Sequence, residues 1–205
     1  VEHAVARVGH YPEDRSENKG NEPEGVAFGR YGRWPLFHIN LLFVGSERSS
    51  TVLVYELPNC FAQLLGVRPK LVQILPTGVG PEGLLTIPRR NLFVVAAETD
   101  ARSDKIRSVL SIYLREFDSA NYPCIASEDR ANGTPIPWAA LSGLASDPQN
   151  ESRIHAVYDS YYARSRIFGL NLTAGPAVID SEIELVDSQG VLLSALQDLA
   201  AIVSD

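Results

Sequence analysis

Asn21-Glu22-Pro23-Glu24-Gly25-Val26-Ala27-Phe28 decides how this chain is read, because the stretch comes back twice. It returns as Gly80-Pro81-Glu82-Gly83-Leu84-Leu85-Thr86-Ile87, and in weaker form as Ala140-Leu141-Ser142-Gly143-Leu144-Ala145-Ser146-Asp147. The glycines are spaced by 58 residues (83 − 25) and 60 residues (143 − 83). Each copy is followed by an apolar run ending in an acid: Leu41 to Glu47, Leu92 to Glu98 and Ile154 to Asp159. A polar turn and a further β-rich run follow in each, at Thr51 to Leu57, Val109 to Leu114 and Ser165 to Leu172. A fourth extended run completes each unit, at Lys70 to Leu75, Tyr122 to Ser127 and Ala177 to Val186.

Four short strands per unit at a fixed period are the sequence sign of β-propeller blades. A single four-stranded sheet of this size cannot bury both its faces, and stacking like units face to face buries a continuous core. The runs are rich in Val, Leu, Ile, Phe and Tyr and nearly continuous, as suits strands covered on both sides. The expected fold is therefore all-β, a β-propeller of which this chain supplies about three four-stranded blades. At 205 residues, about three and a half such units fit, whereas propellers close with about four to eight blades. The expectation is a partial chain whose propeller is completed by missing polypeptide or by another subunit; the absence of Met agrees with a processed or partial chain.

The expected organisation is an N-terminal loop segment (1–21), two blades (22–127), an ordered connector (128–138), and a third blade with the start of a further segment (139–205). Thr134-Pro135-Ile136-Pro137-Trp138 excludes a central strand or helix from the connector, since two prolines remove ladder donors. Between the first two strands of blade one, Arg30 to His38 lengthens a hairpin. At the end, Leu192, Leu196, Leu199, Ile202 and Val203 recur at helical spacing, which reads either as a helix capped near Asp187-Ser188 or as the start of a longer loop.

A net charge of −7 argues against a nucleic-acid partner, which needs a basic face, and favours cations as ligands. No apolar run approaches the roughly 20 residues of a membrane span. The only two cysteines, Cys60 and Cys124, lack metal-site spacing; they read as a disulfide between neighbouring blades or as two buried thiols. Glycosylation sequons begin at Asn132, Asn150 and Asn171, compatible with a secreted, periplasmic or extracellular protein.

The repeated acids are the first candidates for chemistry. Glu24 and Glu82 precede the repeated glycine, and Glu47, Glu98 and Asp159 end the second strand of each unit. Equivalent positions of successive blades form a ring about the axis, and carboxylates so placed repel unless a cation neutralises them. Oxygen ligands converging from loops suit Ca²⁺ or Mg²⁺. The competing reading is architectural, each acid bonding the backbone beside it. Arg48 follows Glu47, Arg166 follows Asp159, and Arg130 lies in the connector; each is either a bidentate phosphate ligand or half of a surface ion pair. His155 lies within a strand and reads as a core histidine. No Gly-x-Ser-x-Gly, P-loop or His-Glu-x-x-His occurs, so a serine-hydrolase triad is unsupported.

The stretch Ser16-Glu17-Asn18-Lys19-Gly20-Asn21-Glu22-Pro23-Glu24-Gly25-Val26, with Leu42-Phe43-Val44-Gly45-Ser46-Glu47-Arg48, resembles secreted β-propellers of the choice-of-anchor type, a group that includes alkaline phosphatase-like propellers. Ser46 departs from the leucine of that motif. Thr134 to Ala145, with Tyr158-Asp159-Ser160-Tyr161-Tyr162 and Ser165-Arg166-Ile167, resembles the family called esterase-like activity of phytase. The resemblance implies a secreted phytase-like glycoprotein propeller. By analogy with calcium-dependent propeller phytases it implies Ca²⁺ and phosphate held by Glu24, Glu47, Arg48, Glu82, Glu98 and Asp159. The first functional expectation is thus metal-dependent hydrolysis of a small phosphomonoester. The alternative is a non-catalytic extracellular propeller that binds a partner or serves assembly.

Overall fold

The computed structural model describes residues 1–33, 37–118, 120–159, 161–173 and 175–193. The described chain is mostly β, in antiparallel sheets with one parallel strand pair. It divides into two compact units, one formed by Arg15–Tyr122 and the other by Glu2–Asp14 together with the chain from Pro123 onward. The N-terminal segment is not the plain polar loop expected. It opens with a short helix, α1 (Glu2–Arg7), whose Val5 is buried within the second unit.

The first unit holds two sheets. Strands β1 (Pro23–Arg33), β2 (Phe37–Ser46), β3 (Thr51–Leu57) and β4 (Lys70–Pro76) form an up-and-down meander in chain order. The lengthened β1–β2 hairpin follows the sequence expectation, with its tip outside the described residues. A short helix, α2 (Cys60–Leu64), fills the β3–β4 connection, and the Asn59 side chain caps it by accepting from Ala62 N at 2.8 Å. Strands β5 (Pro81–Ile87), β6 (Leu92–Ala97) and β7 (Val109–Leu114) form the second meander. Residues of β6 alternate between half-buried and buried, as a pleated strand with one face in a core must.

The two sheets share one core. Tyr31, Phe43, Val52, Val54, Phe93 and Val95 are among its buried residues. The rings of Phe43 and Phe93 stack with centroids 3.9 Å apart, and Tyr31 Oη donates to Leu92 O at 3.0 Å. Gly25 is required by this approach, since a Cβ there would lie 3.2 Å from Glu82 O and 3.3 Å from Leu84 Cδ1.

The second unit carries a five-stranded sheet in the order β8-β12-β11-β10-β9. Its strands are β8 (Ile125–Ser127), β9 (Leu141–Asp147), β10 (Asn150–Tyr158), β11 (Arg166–Asn171) and β12 (Ala177–Glu184). The last four make the meander expected of the third repeat. β8 corrects the sequence reading: the run placed as the fourth strand of the second repeat instead pairs parallel with β12. The sheet of the second repeat therefore has three strands, and β7 is its edge, with Leu110, Ile112 and Leu114 exposed. The connector contributes to packing, since Ile136 joins Tyr158, Tyr162, Phe168 and Ile179 in the core of this unit. The helix expected towards the C-terminus falls outside the described residues from 194 onward; before it, Asp187 Oδ1 accepts from Gln189 N and Val191 N in a turn.

All three repeats open with the same backbone device. Glu22, Gly80 and Ala140 adopt positive φ, at 45°, 71° and 46°. Their carbonyls accept from the N–H of the acid that follows the second strand: Glu47 N at 3.0 Å, Glu98 N at 2.9 Å and Asp159 N at 3.1 Å. One residue then bulges from the first strand, because the register passes over Glu24 between Pro23 and Gly25, over Glu82 between Pro81 and Gly83, and over Ser142 between Leu141 and Gly143. A bulge bends its strand and re-aims the extra side chain. The repeat seen in the sequence is thus a repeat of backbone geometry. Among the described residues, three meander sheets are formed and no closed propeller.

Candidate functional site

In the first unit the bulge delivers Glu24 into a group of acids. One carboxylate oxygen each from Glu22, Glu24 and Glu47 lies within 4.8 Å of the other two. Glu22 and Glu47 are buried, whereas Glu24 is exposed. Glu82, on the equivalent bulge of β5, is close enough to act electrostatically on Glu47. Burial, together with the charges of Glu24, Glu22 and Glu82, pushes the Glu47 carboxyl above its ordinary range, against the opposing pull of Arg48.

Basic side chains offset part of this charge. Arg48 donates from Nε to Glu22, and its Nη1 lies 3.1 Å from Glu47 Oε1. Lys19 Nζ is 3.0 Å from Glu22 Oε1, and Arg15 Nη2 is 3.7 Å from the same atom. Lys19 and Arg48 hold the Glu22 carboxyl below its ordinary range. The local balance is four acids (Glu22, Glu24, Glu47, Glu82) against three bases (Arg15, Lys19, Arg48), one negative charge in excess. As a fit for a hard cation the donor set is all oxygen, which suits Ca²⁺. Both oxygens of Glu22 and Oε1 of Glu47 are already shared with cationic side chains, which leaves Glu24 and the second oxygen of Glu47 as the ligands for an ion.

Of the five acids expected to form a ring, the first unit holds four. Glu24, Glu47 and Glu82 are neighbours, but Glu98 is exposed outside the group of three, and Asp159 belongs to the other unit. Glu22 was missed by sequence reading because its equivalents are Gly80 and Ala140. The signal available was a large residue at a place where another copy has glycine. Its left-handed backbone costs on the order of 1 kcal/mol in a non-glycine residue, and such strain clusters at functional positions. Asn21 and Ser49 support the turn: both are buried, and Ser49 Oγ donates to Asn21 Oδ1 at 2.6 Å.

Arg130 and Arg166 converge in the second unit, where Arg130 Nη2 donates to Glu182 Oε2 at 2.8 Å and Arg166 Nε lies 3.4 Å from the same oxygen. His155 stands 3.4 Å from Asp147 Oδ2, as a satisfied strand histidine would. Cys60 and Cys124 are exposed rather than buried and sit in different units, with no disulfide among the described residues. Asn132 and Asn150 are exposed and Asn171 is half-buried; each side-chain oxygen accepts the N–H two residues on, from Thr134, Ser152 and Thr173.

The first unit also has a cavity of about 370 Å³. Tyr31, Phe93 and Tyr113 supply an aromatic wall, and Gln73, Asn91 and Arg115 supply polar groups. Tyr31 and Tyr113 donate their hydroxyls to the backbone, at Leu92 O and Pro76 O. Burial raises both phenols, so they stay protonated. No described helix is long and apolar enough to cross a membrane. Comparison with protein-family models, with curated proteins and with solved structures finds no match for this chain.

Proposed function

We propose that this chain is a cation-stabilised binding module of a secreted, periplasmic or extracellular β-repeat protein of propeller type. The carrying observation is the acidic group on the Pro-Glu-Gly bulge, where Glu24 and Glu47 are gathered beside Glu22. With one excess negative charge and two available carboxylates, the site suits a weak Ca²⁺ ligand set of the extracellular kind, with Kd on the order of 0.1–1 mM. Bound there, the ion would relieve the repulsion that raises the Glu47 carboxyl and would brace the start of β1 against the end of β2. The aromatic cavity of the first unit provides a surface for an organic partner.

The phosphomonoesterase reading is the second one, favoured by Arg48 beside the acids, since a cation and a guanidinium together can hold a phosphoryl group. It ranks second because two nitrogens of Arg48 already serve Glu22 and Glu47, and because Glu98, of the same unit, does not join the group. Assaying p-nitrophenyl phosphate and phytate with and without Ca²⁺ separates the two readings. The binding-module reading expects no turnover in either condition. Ca²⁺-dependent phosphate release that disappears in Glu24→Gln would establish the hydrolase instead.

A further inference from the structure

The sheet β5-β6-β7 is apolar on both of its faces. Phe93 and Val95 of β6 are buried in the core shared with β1–β4. The register sets the opposite face in rows across the three strands, with Leu85, Val94 and Ile112 in one and Ile87, Leu92 and Leu114 in the next. The third row, Gly83, Ala96 and Leu110, likewise carries no polar side chain. On this outer face Leu85, Leu110, Ile112 and Leu114 are 57, 68, 65 and 58 % exposed. An antiparallel sheet with one face in water alternates apolar and polar residues, whereas this one has the pattern of a sheet covered on both sides.

The repeat indicates the kind of cover. The N–H groups of Glu47 and Glu98 close equivalent turns, which aligns β2 with β6 and, through their pairing, β3 with β7. Phe43, Val52 and Val54 of the first sheet thus correspond to Val94, Ile112 and Leu110 of the second, with Val52 matching Leu110 and Val54 matching Ile112. The first three are buried in the core shared with β5–β7, so one repeat earlier the same face is closed by a like sheet. The ends of the sheet differ in charge. Where β5 and β7 begin, Glu82, Glu98, Asp100 and Asp104 stand against Arg102, Lys105 and Arg107, one negative charge in excess. Where β5 and β7 end, Arg89, Arg90 and Arg115 stand against Glu116 and Asp118, one positive charge in excess.

We infer that this face is covered by the same face of a second copy of the chain, so that the protein forms a two-fold dimer. Two apolar sheets pack face to face about 10 Å apart with their strands nearly aligned. A two-fold axis running across the strands sets them antiparallel and brings the basic end of each sheet over the acidic end of its partner. An axis along the strands would oppose like ends. The face carries no polar side chain, so contact with its own copy leaves none unpaired. None of its nine positions belongs to the acidic group, and the dimer does not depend on a cation binding there.

The test is sedimentation velocity of the full chain over a range of concentrations, in EDTA so that cation binding plays no part. Wild type sediments at twice the mass of the chain and dissociates on dilution. Ile112→Lys and Leu110→Lys each weaken the dimer at least roughly hundredfold, because a two-fold contact buries the added charge twice. Both positions are exposed in the single chain, so the circular dichroism of these variants matches wild type. Leu144→Lys, at an exposed apolar residue of the other unit, leaves the dimer intact. Arg89→Glu/Arg90→Glu weakens it, and Glu98→Lys added to that variant restores part of the loss. A wild type with the mass of one chain at every concentration overturns the inference, as do assemblies of no fixed size. So does a dimer that survives folded Ile112→Lys and Leu110→Lys, that Leu144→Lys disrupts as readily, or that Arg89→Glu/Arg90→Glu tightens.

Discussion

The stacking of Phe43 on Phe93 is where the two sheets of the first unit become one core, and it is open to a quantitative test. Both side chains are almost wholly buried, at 4 % and 3 % exposure, and their planes lie 15° apart. Phe93 also faces Tyr113 with centroids 6.1 Å apart, so truncation to Ala removes the central ring of three. Phe93→Ala should cost about 3–5 kcal/mol, the range for deleting a buried aromatic ring where neighbours cannot collapse fully. That loss alone would not prove stacking, because any buried Phe gives it. The decisive experiment is a double-mutant cycle with Phe43→Leu and Phe93→Leu, which keep apolar bulk while removing one ring each. Each single substitution should cost about 1–1.5 kcal/mol. The double mutant should lose less than the sum by about 0.5–1.5 kcal/mol, the coupling of one aromatic pair. Urea denaturation followed by circular dichroism, with unchanged slopes, supplies the four free energies. Additivity within about 0.3 kcal/mol would mean that the rings do not interact, and the shared core would be wrong.

Further predictions follow from the backbone and the charges. Ala140 is an exposed residue at φ 46° where another repeat has Gly80, so Ala140→Gly should stabilise by about 0.5–1 kcal/mol, left-handed strain relieved less the added unfolded-chain entropy; a loss in thermal denaturation would contradict this. A Cβ at Gly169 would come within 2.3 Å of Arg153 Nη2 and 2.4 Å of Ser181 Oγ, both on side chains that can swing aside, so Gly169→Ala should cost at most about 1 kcal/mol, the worth of the displaced Arg153–Asp180 pair, and a loss of several kcal/mol in urea denaturation would refute this. Lys19 and Arg48 make the Glu22 carboxyl more acidic when folded, so its contribution is present above the ordinary glutamate range and is lost as pH falls through the lower folded value; wild type and Glu22→Gln should therefore converge in stability in acid, and a constant gap would refute the pairing. Glu47 has the opposite sign, its folded value being raised mainly by burial, so its charge opposes folding at neutral pH and Glu47→Gln without Ca²⁺ should melt no lower than wild type at pH 7.

Most strands were legible because they are runs rich in β-branched and aromatic residues between turn signals, and the repeat multiplied the signal threefold. The glycine of Pro-Glu-Gly was legible as a landmark, while its reason was not: Gly25 makes room for Glu82 O and Leu84, which lie 57 and 59 residues further on (82 − 25, 84 − 25). β8 was misplaced because a three-residue strand holds too little pattern to choose a partner, and its parallel pairing with β12 spans about fifty residues of chain. Helix α1 was hidden because six residues show under two turns of periodicity. Of the site, Glu24 and Glu47 were found because they recur, and Glu22 was lost because it does not. Glu182 and Glu184, alternating on one face of β12 opposite Arg166, carried a cross-strand charge signal that the repeat drew attention away from.

The measurement that bears most directly on the binding-module account is a calorimetric Ca²⁺ titration of wild type and of Glu24→Gln/Glu47→Gln, with phosphate release from p-nitrophenyl phosphate recorded on the same samples. The account predicts saturable binding in the wild type with Kd on the order of 0.1–1 mM, loss of that binding in the double variant, and no phosphate release from either. Ca²⁺ binding that survives the double substitution, or Ca²⁺-dependent phosphate release by the wild type, would contradict it.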